Sequence, residues 1–375
     1  MISALWLRAG AQDKFTLDGH LQHMGTLWIE EWNGPWRSTG SIYNRLNMNW
    51  YPGEKLTATL SMRNMVNYGQ LIYLFYPYYT DLLVADDGFL DLTRDWASDS
   101  SYVLYSNIDR AYLKYTTGKW EITAGRQRIN WGINTVWNPN DIFNTFNYYD
   151  FDYVERPGCD ALRVTWYRSY AGSLELAAKL NKDKEVTAAA MYRFNRWNYD
   201  LQLLAGVMET DAVVGAGWSG YIGDAGFTGE ASWFRDLDHF SDTTAIWVAS
   251  AGFNYTFKNS LTLNLAGLYN SNGTTGKAGW GTSFIILQEL SPKTFTLARY
   301  SLMGSLSYPI TPLIRGDLAT IVNPNDGSFY LGPSFDISLA DNISLLLTGQ
   351  MFSGTTGSEF GGYGQMLYMR LKWSF

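Results

Sequence analysis

The chain has 375 residues, a net charge of −7, a mean hydropathy of −0.18 and a single cysteine. It contains no uninterrupted run of apolar residues long enough for a transmembrane helix, and its acidic charge argues against nucleic-acid binding, which needs a basic surface. Aromatic residues make up 16% of the chain, whereas charged residues make up only 17%. Many Tyr and Trp residues combined with few charges are typical of a protein surface that contacts lipid.

The N-terminal residues contain a small-residue sequence, Ala9-Gly10-Ala11-Gln12, that is similar to a signal-peptidase site. A short apolar stretch, Leu5-Trp6-Leu7, precedes it. We therefore expect residues 1–12 to be a signal-peptide remnant and residues 13–375 to form a single domain.

From about residue 15 to the C-terminus, about 18 segments alternate between apolar and polar residues, as strands with one apolar face do. One of these predicted strands covers residues 119–136. Short Gly-, Pro-, Asn- and Asp-rich turns such as Pro52-Gly53-Glu54 alternate with longer connections, of which the longest are about 69–101 and 137–159. This asymmetry, with an even strand number, predicts an all-β, antiparallel up-and-down transmembrane barrel of the outer-membrane type with both termini in the periplasm.

The last predicted strand, Leu367–Phe375, places an apolar residue at every second position and ends on an aromatic ring. It resembles the terminal strand of bacterial outer-membrane β-barrels, which commonly end in Phe. If Phe375 faces lipid, the residues between the apolar ones face the lumen.

The same alternation predicts a basic inner wall, because an arginine that faces lipid at mid-membrane costs about 2–4 kcal/mol. The basic residues concerned lie on predicted segments that adjoin one another in a closed barrel. They are Arg45, Arg63, Arg110, Lys114, Arg126, Arg128, Arg163, Arg370 and Lys372.

The connection over residues 137–159 combines acids with many aromatic residues, and we expect it to fold into the barrel as a constriction loop. Its acids would then face the basic wall, and a cationic pore lining favours anions. The alternative is that the arginines pair with other lumenal acids and stiffen the barrel. The constriction-loop acids are Asp141, Asp150, Asp152 and Glu155, with Asp160 just after them as a further counter-charge; the alternative partners are Asp18, Glu30, Glu175, Glu230 and Asp317.

The sequence Gly125-Arg126-Gln127-Arg128-Ile129-Asn130-Trp131-Gly132, followed by Asn138-Pro139-Asn140-Asp141, resembles a motif of porin-like outer-membrane channels of the alginate-export type. The resemblance implies a barrel whose lumenal arginines guide an anionic polysaccharide, and it extends to Arg126 and, less directly, to Arg128. The Asn-Pro-Asn-Asp sequence recurs at Asn323–Asp326. We expect a turn at both places, with a cation site as the less favoured alternative.

These features predict an outer-membrane porin for small anionic or sugar-like solutes, in contact with outer-membrane lipid and lipopolysaccharide. The alternative is a barrel subunit or anchor of a larger assembly, with a plugged lumen and loops 69–101 and 137–159 as docking surfaces. The aromatic run Leu71–Tyr79 favours this second reading, because exposed aromatic patches mark interfaces. Either a homotrimer or a protein partner is compatible with the pattern.

The residue pattern indicates no enzyme, no cofactor and no metal site. His20 and His23 are three residues apart on a predicted strand, so they point to opposite faces. Gly215-Ala216-Gly217 lacks the strand-to-helix context of a nucleotide-binding turn.

Overall fold

The computed structural model describes residues 14–145, 148, 157–241, 244–278 and 291–375. Within these ranges the chain forms nineteen strands and two short helices, α1 (Gln70–Phe75) and α2 (Tyr78–Val84). No helix in them is long and apolar enough to cross a membrane. The strands are β1 (Phe15–Ile29), β2 (Trp36–Gly53), β3 (Leu56–Gly69), β4 (Thr93–Asp99), β5 (Tyr102–Thr117), β6 (Trp120–Gln127), β7 (Cys159–Ser169), β8 (Gly172–Leu180), β9 (Val186–Arg196), β10 (Tyr199–Met208), β11 (Asp211–Ile222), β12 (Ala225–Asp236), β13 (Ile246–Thr256), β14 (Thr262–Asn270), β15 (Tyr300–Thr311), β16 (Ile314–Val322), β17 (Phe329–Ala340), β18 (Ile343–Ser353) and β19 (Gln365–Ser374).

Eighteen of these strands form a closed antiparallel barrel, which confirms the predicted fold. Each wall strand pairs with the next along the chain, β3 passes directly to β5, and β1 pairs with β19 to close the sheet. The backbone N–H of Tyr51 donates to the carbonyl of Lys14, and that of Ser374 donates to the carbonyl of Asn342. Both ends of the described chain therefore lie at the barrel edge with the tight turns, here called the short-turn edge; the opposite rim is the long-loop edge.

The final strand illustrates how the period of two orients side chains. The outward Met369 is 53% exposed, whereas its neighbour Arg370 is 8% exposed and points inward. An apolar outer face and a polar inner face follow from this alternation.

The predicted strand over residues 119–136 is wrong in its second half. Strand β6 ends at Gln127, and the chain then enters the barrel, where its N–H groups bond to side chains of a distant wall. Strand β6 pairs only with Ala111–Thr117 of β5, so the part of β5 closer to the long-loop edge has no pairing with β6. Strand β4 occupies this edge, pairing with Tyr102–Asn107, so the connection over residues 69–101 completes the wall.

Candidate functional site

Residues 128–145, here called the inner segment, lie inside the barrel and are held by Glu230 of β12. The buried Glu230 carboxylate accepts the backbone N–H groups of Ile133 and Asn134 through Oε1, the latter at 3.1 Å. Its Oε2 accepts the N–H of Asn140 at 2.9 Å. One carboxylate thus satisfies three backbone donors that have no neighbouring strand, which fixes the inner segment against β12.

Side chains of several neighbouring wall strands also hold the inner segment through hydrogen bonds. The wall strands involved are β8, β10, β12 and β13, so the inner segment lies along one side of the lumen. The bonds join Trp131 Nε1 to Glu175 Oε1 at 2.5 Å, Gln202 Nε2 to the Trp131 carbonyl at 2.9 Å, Ser232 Oγ to Asn140 Oδ1 at 2.7 Å, and Ser250 Oγ to the Trp137 carbonyl at 2.8 Å.

Two glycines of β11 allow the inner segment to approach the wall closely. A Cβ atom on Gly215 would lie 2.5 Å from Asn140 Oδ1, and one on Gly217 would lie 2.8 Å from Ile133 Cδ1. Asn140 Nδ2 also donates to the carbonyl of Ala216 at 3.0 Å. The Gly215-Ala216-Gly217 sequence therefore serves close packing of two backbones.

The apolar residues of the inner segment pack against inward-facing apolar side chains of the wall. Trp131 and Phe143 stack edge to face with ring centroids 4.8 Å apart. The buried residues of the inner segment in this core are Ile129, Trp131, Val136, Trp137, Ile142 and Phe143. This part of the barrel is a packed interior, so any solute path must lie beside it.

The opposite wall carries a basic cluster built around Asp109. Arg45 Nη1 lies 2.6 Å from Asp109 Oδ2, Arg63 Nε lies 3.8 Å from it, and Arg110 Nη1 lies 3.9 Å from it. Arg45 and Arg63 are direct cross-strand partners, an arrangement of like charges that is unfavourable without a counter-charge. Asp109 supplies that counter-charge.

A β-bulge places Asp109 in this position. Arg110 pairs with Ser61 and Ile108 pairs with Met62, which leaves Asp109 as the extra residue of β5. Because of the bulge, the consecutive residues Asp109 and Arg110 are both buried on the inner face. Arg45 of β2 and Glu230 of β12 are nine wall strands apart in the ring of eighteen, so the basic cluster faces the inner segment across the lumen.

Arg126 has acidic partners of its own, separate from Asp109. Its guanidinium contacts Asp86 at 2.6 Å and both carboxylate oxygens of Asp160 at 2.8 Å, and it also donates to the carbonyl of Leu90. Asp86 and Leu90 belong to the connection over residues 69–101. Arg126 therefore ties that connection to the wall, and a solute would have to compete with two carboxylates for its guanidinium.

The next residue of the motif, Gln127, also makes structural bonds. Its Nε2 donates to the carbonyls of Thr123 and Ala161, both at 3.0 Å, at the point where β6 ends. Arg128 lies beyond the end of the strand, half-buried at the start of the inner segment.

The remaining residues of the predicted basic wall lie on the inner faces of their strands. Arg163 forms an ion pair with Glu121 at 3.0 Å. Arg370 is buried on β19, next to the half-buried Lys372 two positions on, and Lys114 lies on the inner face of β5, four residues from Arg110. The structure thus brings together Arg45, Arg63 and Arg110 around Asp109, whereas Arg126 and Arg163 pair with acids of their own.

Of the predicted constriction-loop acids, Asp141 is described and buried. Its Oδ1 accepts the backbone N–H of Trp131 at 3.2 Å, within the inner segment itself. Asp150, Asp152 and Glu155 lie outside the described residues. The predicted turns are present: the N–H of Asp141 donates to the carbonyl of Asn138 at 2.9 Å, and that of Gly327 donates to the carbonyl of Asn323 at 2.9 Å.

A cavity of about 380 Å³ opens at the short-turn edge, beside the inner segment. Inward-facing side chains of β7, β9, β10 and β11 line it together with the inner segment. They include Ile133, Tyr167, Arg193, Gln202 and Ser219. The lumen therefore retains polar space next to the packed core.

At the long-loop edge, Asp326 and Glu359 join three connections. Asp326 Oδ2 accepts the N–H of Glu359 at 2.8 Å, and Glu359 Oε1 accepts the N–H of Leu297 at 3.1 Å. Burial raises the pKa of Glu359 to about 7, the Leu297 N–H opposes this, and the nearby Asp326 adds to it. Burial also acts to raise the pKa of Asp326, but hydrogen bonds from Ser328 and from the Glu359 N–H outweigh it and lower that pKa.

The connection over residues 69–101 also presents an exposed aromatic surface. Four rings on and between α1 and α2 are exposed, and we call them the aromatic patch: Tyr73, Phe75, Tyr76 and Tyr78.

The sequence pattern did not indicate Asp86 and Asp109, the acids that hold the most buried arginines. Glu230 was expected only as an arginine partner, whereas its carboxylate accepts backbone N–H groups. The one available signal was the adjacent pair Asp109-Arg110 in an otherwise alternating strand, since two neighbouring charges cannot both face the lumen without a bulge.

No protein-family model and no curated protein matches the chain. Solved structures match it over nearly its whole length. OccAB4 of Acinetobacter baumannii has a TM-score of 0.61 at 9% identity, covering 97% of this chain and 98% of its own. OpdK of Pseudomonas aeruginosa, solved with vanillate, has a TM-score of 0.60 at 11% identity, covering 96% and 98%. OccD3 (OpdP) of the same organism has a TM-score of 0.56 at 11% identity, covering 96% and 91%.

At these identities the likeness establishes the fold: the chain has the eighteen-stranded architecture of outer-membrane porin-type channels.

Proposed function

We propose that the protein is a bacterial outer-membrane channel for small anionic solutes, including acidic sugars. The observation that carries this proposal is the convergence of three guanidinium groups within 4 Å of the Asp109 carboxylate on one wall of the barrel. A solute passing between this basic cluster and the inner segment would meet concentrated positive charge, which favours anions.

Two further observations support the proposal. Lys114 and Lys372 extend the basic surface on β5 and on the closing strand β19. OpdK, one of the similar structures, was solved with vanillate, which is a carboxylate. Arg63, which is 16% exposed, is the most accessible guanidinium of the cluster, and we assign it and Arg110 to solute contact. The solute-contact role expected of Arg126 is less favoured, because two acids already hold it.

The proposal includes the location and orientation of the barrel. The outer face would contact outer-membrane lipid and lipopolysaccharide, and the short-turn edge with both chain ends would face the periplasm, as tight turns do in such barrels. Residues 1–12 would be the remnant of the signal that directs export.

Ion selectivity in a planar bilayer tests the proposal. Under a salt gradient, the wild-type channel should give an anion-selective reversal potential, and Arg63→Gln combined with Arg110→Gln should reduce that selectivity. The matched control is a second pair of equal charge changes far from the cluster, Lys55→Gln and Lys258→Gln in short turns, which should leave the selectivity close to wild type. An unaltered reversal potential in the Arg63/Arg110 variant would remove the basic cluster from the solute path.

The aromatic patch favours a second function, that of a subunit in an outer-membrane assembly. Exposed rings on a loop commonly mark a protein interface. A folded barrel that shows no conductance but co-purifies with a stoichiometric partner from native membranes would support this function over the channel. Replacing Tyr73 and Tyr78 with Ser should then release the partner.

A further inference from the structure

A row of polar side chains crosses the outer face of the barrel, here called the polar belt: Asn44, Asn64, Ser106 and Trp96. Trp96 Nε1 donates to Ser106 Oγ at 2.8 Å, and Ser106 Oγ donates to Asn64 Oδ1 at 2.7 Å. Asn64 Nδ2 donates to Asn44 Oδ1 at 3.4 Å, and Asn44 Nδ2 donates to the carbonyl of His20 at 3.3 Å. Each of these hydrogen bonds is donated towards β1, and together they cross β4, β5, β3, β2 and β1.

The polar belt lies on the outer face, and its Asn44 is near the middle of a wall strand. Ile42, two residues before Asn44 and therefore on the same face of β2, is exposed, whereas the adjacent Arg45 is buried inside the barrel. Asn44 lies midway along β2, and it pairs directly with Asn64 across the strand boundary. In a membrane-inserted barrel this is the depth of the hydrocarbon.

Other strands carry apolar residues near the middle of their outer faces. Leu203 of β10, Leu265 of β14 and Leu347 of β18 lie near the middle of their strands and are exposed on the outer face. Two side-chain amides on one sector therefore depart from the pattern that lipid contact imposes.

The hydrogen bonds within the polar belt do not use every N–H donor of its two asparagines. A side-chain amide has two N–H groups, and within the described part of the chain Asn44 and Asn64 each donate one hydrogen bond. Hydrocarbon offers no acceptor, and an unbonded polar group there is unfavourable. The polar belt requires a polar neighbour at the same depth.

We infer that this neighbour is a second copy of the chain, and that the protein forms a twofold dimer through the outer face of β1 to β5. Two copies inserted in the same direction place the polar belt at the same depth, so it meets itself across a twofold axis normal to the membrane. Asn and Ser carry both donors and acceptors, so the belt is complementary to itself, and such side chains hydrogen-bond between transmembrane helices. The inference rests on the membrane insertion proposed above.

The surface beside the polar belt suits such a contact. An apolar groove of about 410 Å³ lies on the same strands, closer to the short-turn edge, and Ala58, Ala111 and the exposed Trp50 are among its lining residues. Trp50 pairs directly with Ala58 across the strand boundary, so the large indole ring lies beside the space that the small alanine leaves. A twofold contact can place the ring of each copy in the space of the other.

Site-specific crosslinking in native membranes tests the dimer. Cys159 is the only cysteine of the chain and is buried, so an introduced cysteine is the accessible thiol. With a short bis-maleimide, Ile42→Cys should give a covalent dimer, and the matched outer-face control Leu265→Cys on a distant strand should stay monomeric. Adding Asn44→Leu and Asn64→Leu to Ile42→Cys should abolish the dimer.

Three results would overturn the inference: a monomeric Ile42→Cys product, equal crosslinking of Leu265→Cys, or capture of a different protein by Ile42→Cys. The mass of the unmodified protein in mild detergent provides a second measurement that needs no variant. Twice the chain mass supports the dimer, and a single chain mass contradicts it. Channel selectivity is measured separately, so failure of the dimer and failure of the channel proposal are distinguishable.

Discussion

Arg45 and Glu230 are both fully buried, and they lie on opposite walls, nine strands apart around the barrel. Arg45 belongs to the basic cluster around Asp109, whereas Glu230 holds the inner segment by its backbone. The lumen is therefore divided into a packed side and a charged side, and the two residues mark the two sides. Substitutions on the two walls should have separable effects on conductance and on ion selectivity.

On the packed side, Glu230→Ala should enlarge the conductance. The substitution removes the acceptor of three backbone N–H groups, and each buried donor left unsatisfied costs about 1–3 kcal/mol. The inner segment should then leave the wall part of the time. Single-channel recording should show larger and more variable open levels, and thermal unfolding should occur at a lower temperature. Open levels identical to wild type would show that Glu230 does not hold the inner segment.

Gly215→Ala should disturb the same contact by a different route. The added Cβ would lie 2.5 Å from Asn140 Oδ1, closer than van der Waals contact allows. The matched control is Gly267→Ala on β14, where the nearest atom would be 3.7 Å away. We expect a loss of about 1–3 kcal/mol of stability for Gly215→Ala, and little change for Gly267→Ala, measured by urea unfolding of the two variants in one detergent. Equal stabilities would contradict the close approach.

The barrel could be predicted from the sequence because a period of two is a local property of each strand, as Leu367–Phe375 shows. The inner segment could not, because its bonds depend on distant residues: Asn140 and Glu230 are 90 positions apart. Asp109 also escaped prediction, since a one-residue bulge reverses the orientation that strict alternation assigns. The basic residues could be assigned to the inner face, whereas their partners Asp109 and Asp86 depended on a bulge and on the folding of the connection over residues 69–101.

On the charged side, Asp109→Asn should weaken the barrel and raise its preference for anions. It removes the counter-charge 2.6 Å from the buried Arg45, and breaking a buried ion pair costs about 3–5 kcal/mol. Thermal unfolding measures the first effect and the reversal potential measures the second. The control is Asp341→Asn, the same change in an exposed short turn, which should alter neither quantity appreciably. An anion preference unchanged by Asp109→Asn would place this cluster outside the conducting path.

The long-loop edge should loosen as the pH rises. Burial raises the pKa of Glu359 to about 7, above its ordinary value of 4.5. Between these values the folded state holds a proton that the unfolded state has lost, so the stability of the loop contact falls as the pH increases through this window and is constant above it. Hydrogen exchange of residues 291–299 and 354–364, corrected for its intrinsic pH dependence, should be faster at about pH 8 than at about pH 5. Glu359→Gln cannot ionise and should remove the difference; a difference that persists in this variant would assign the effect to another group.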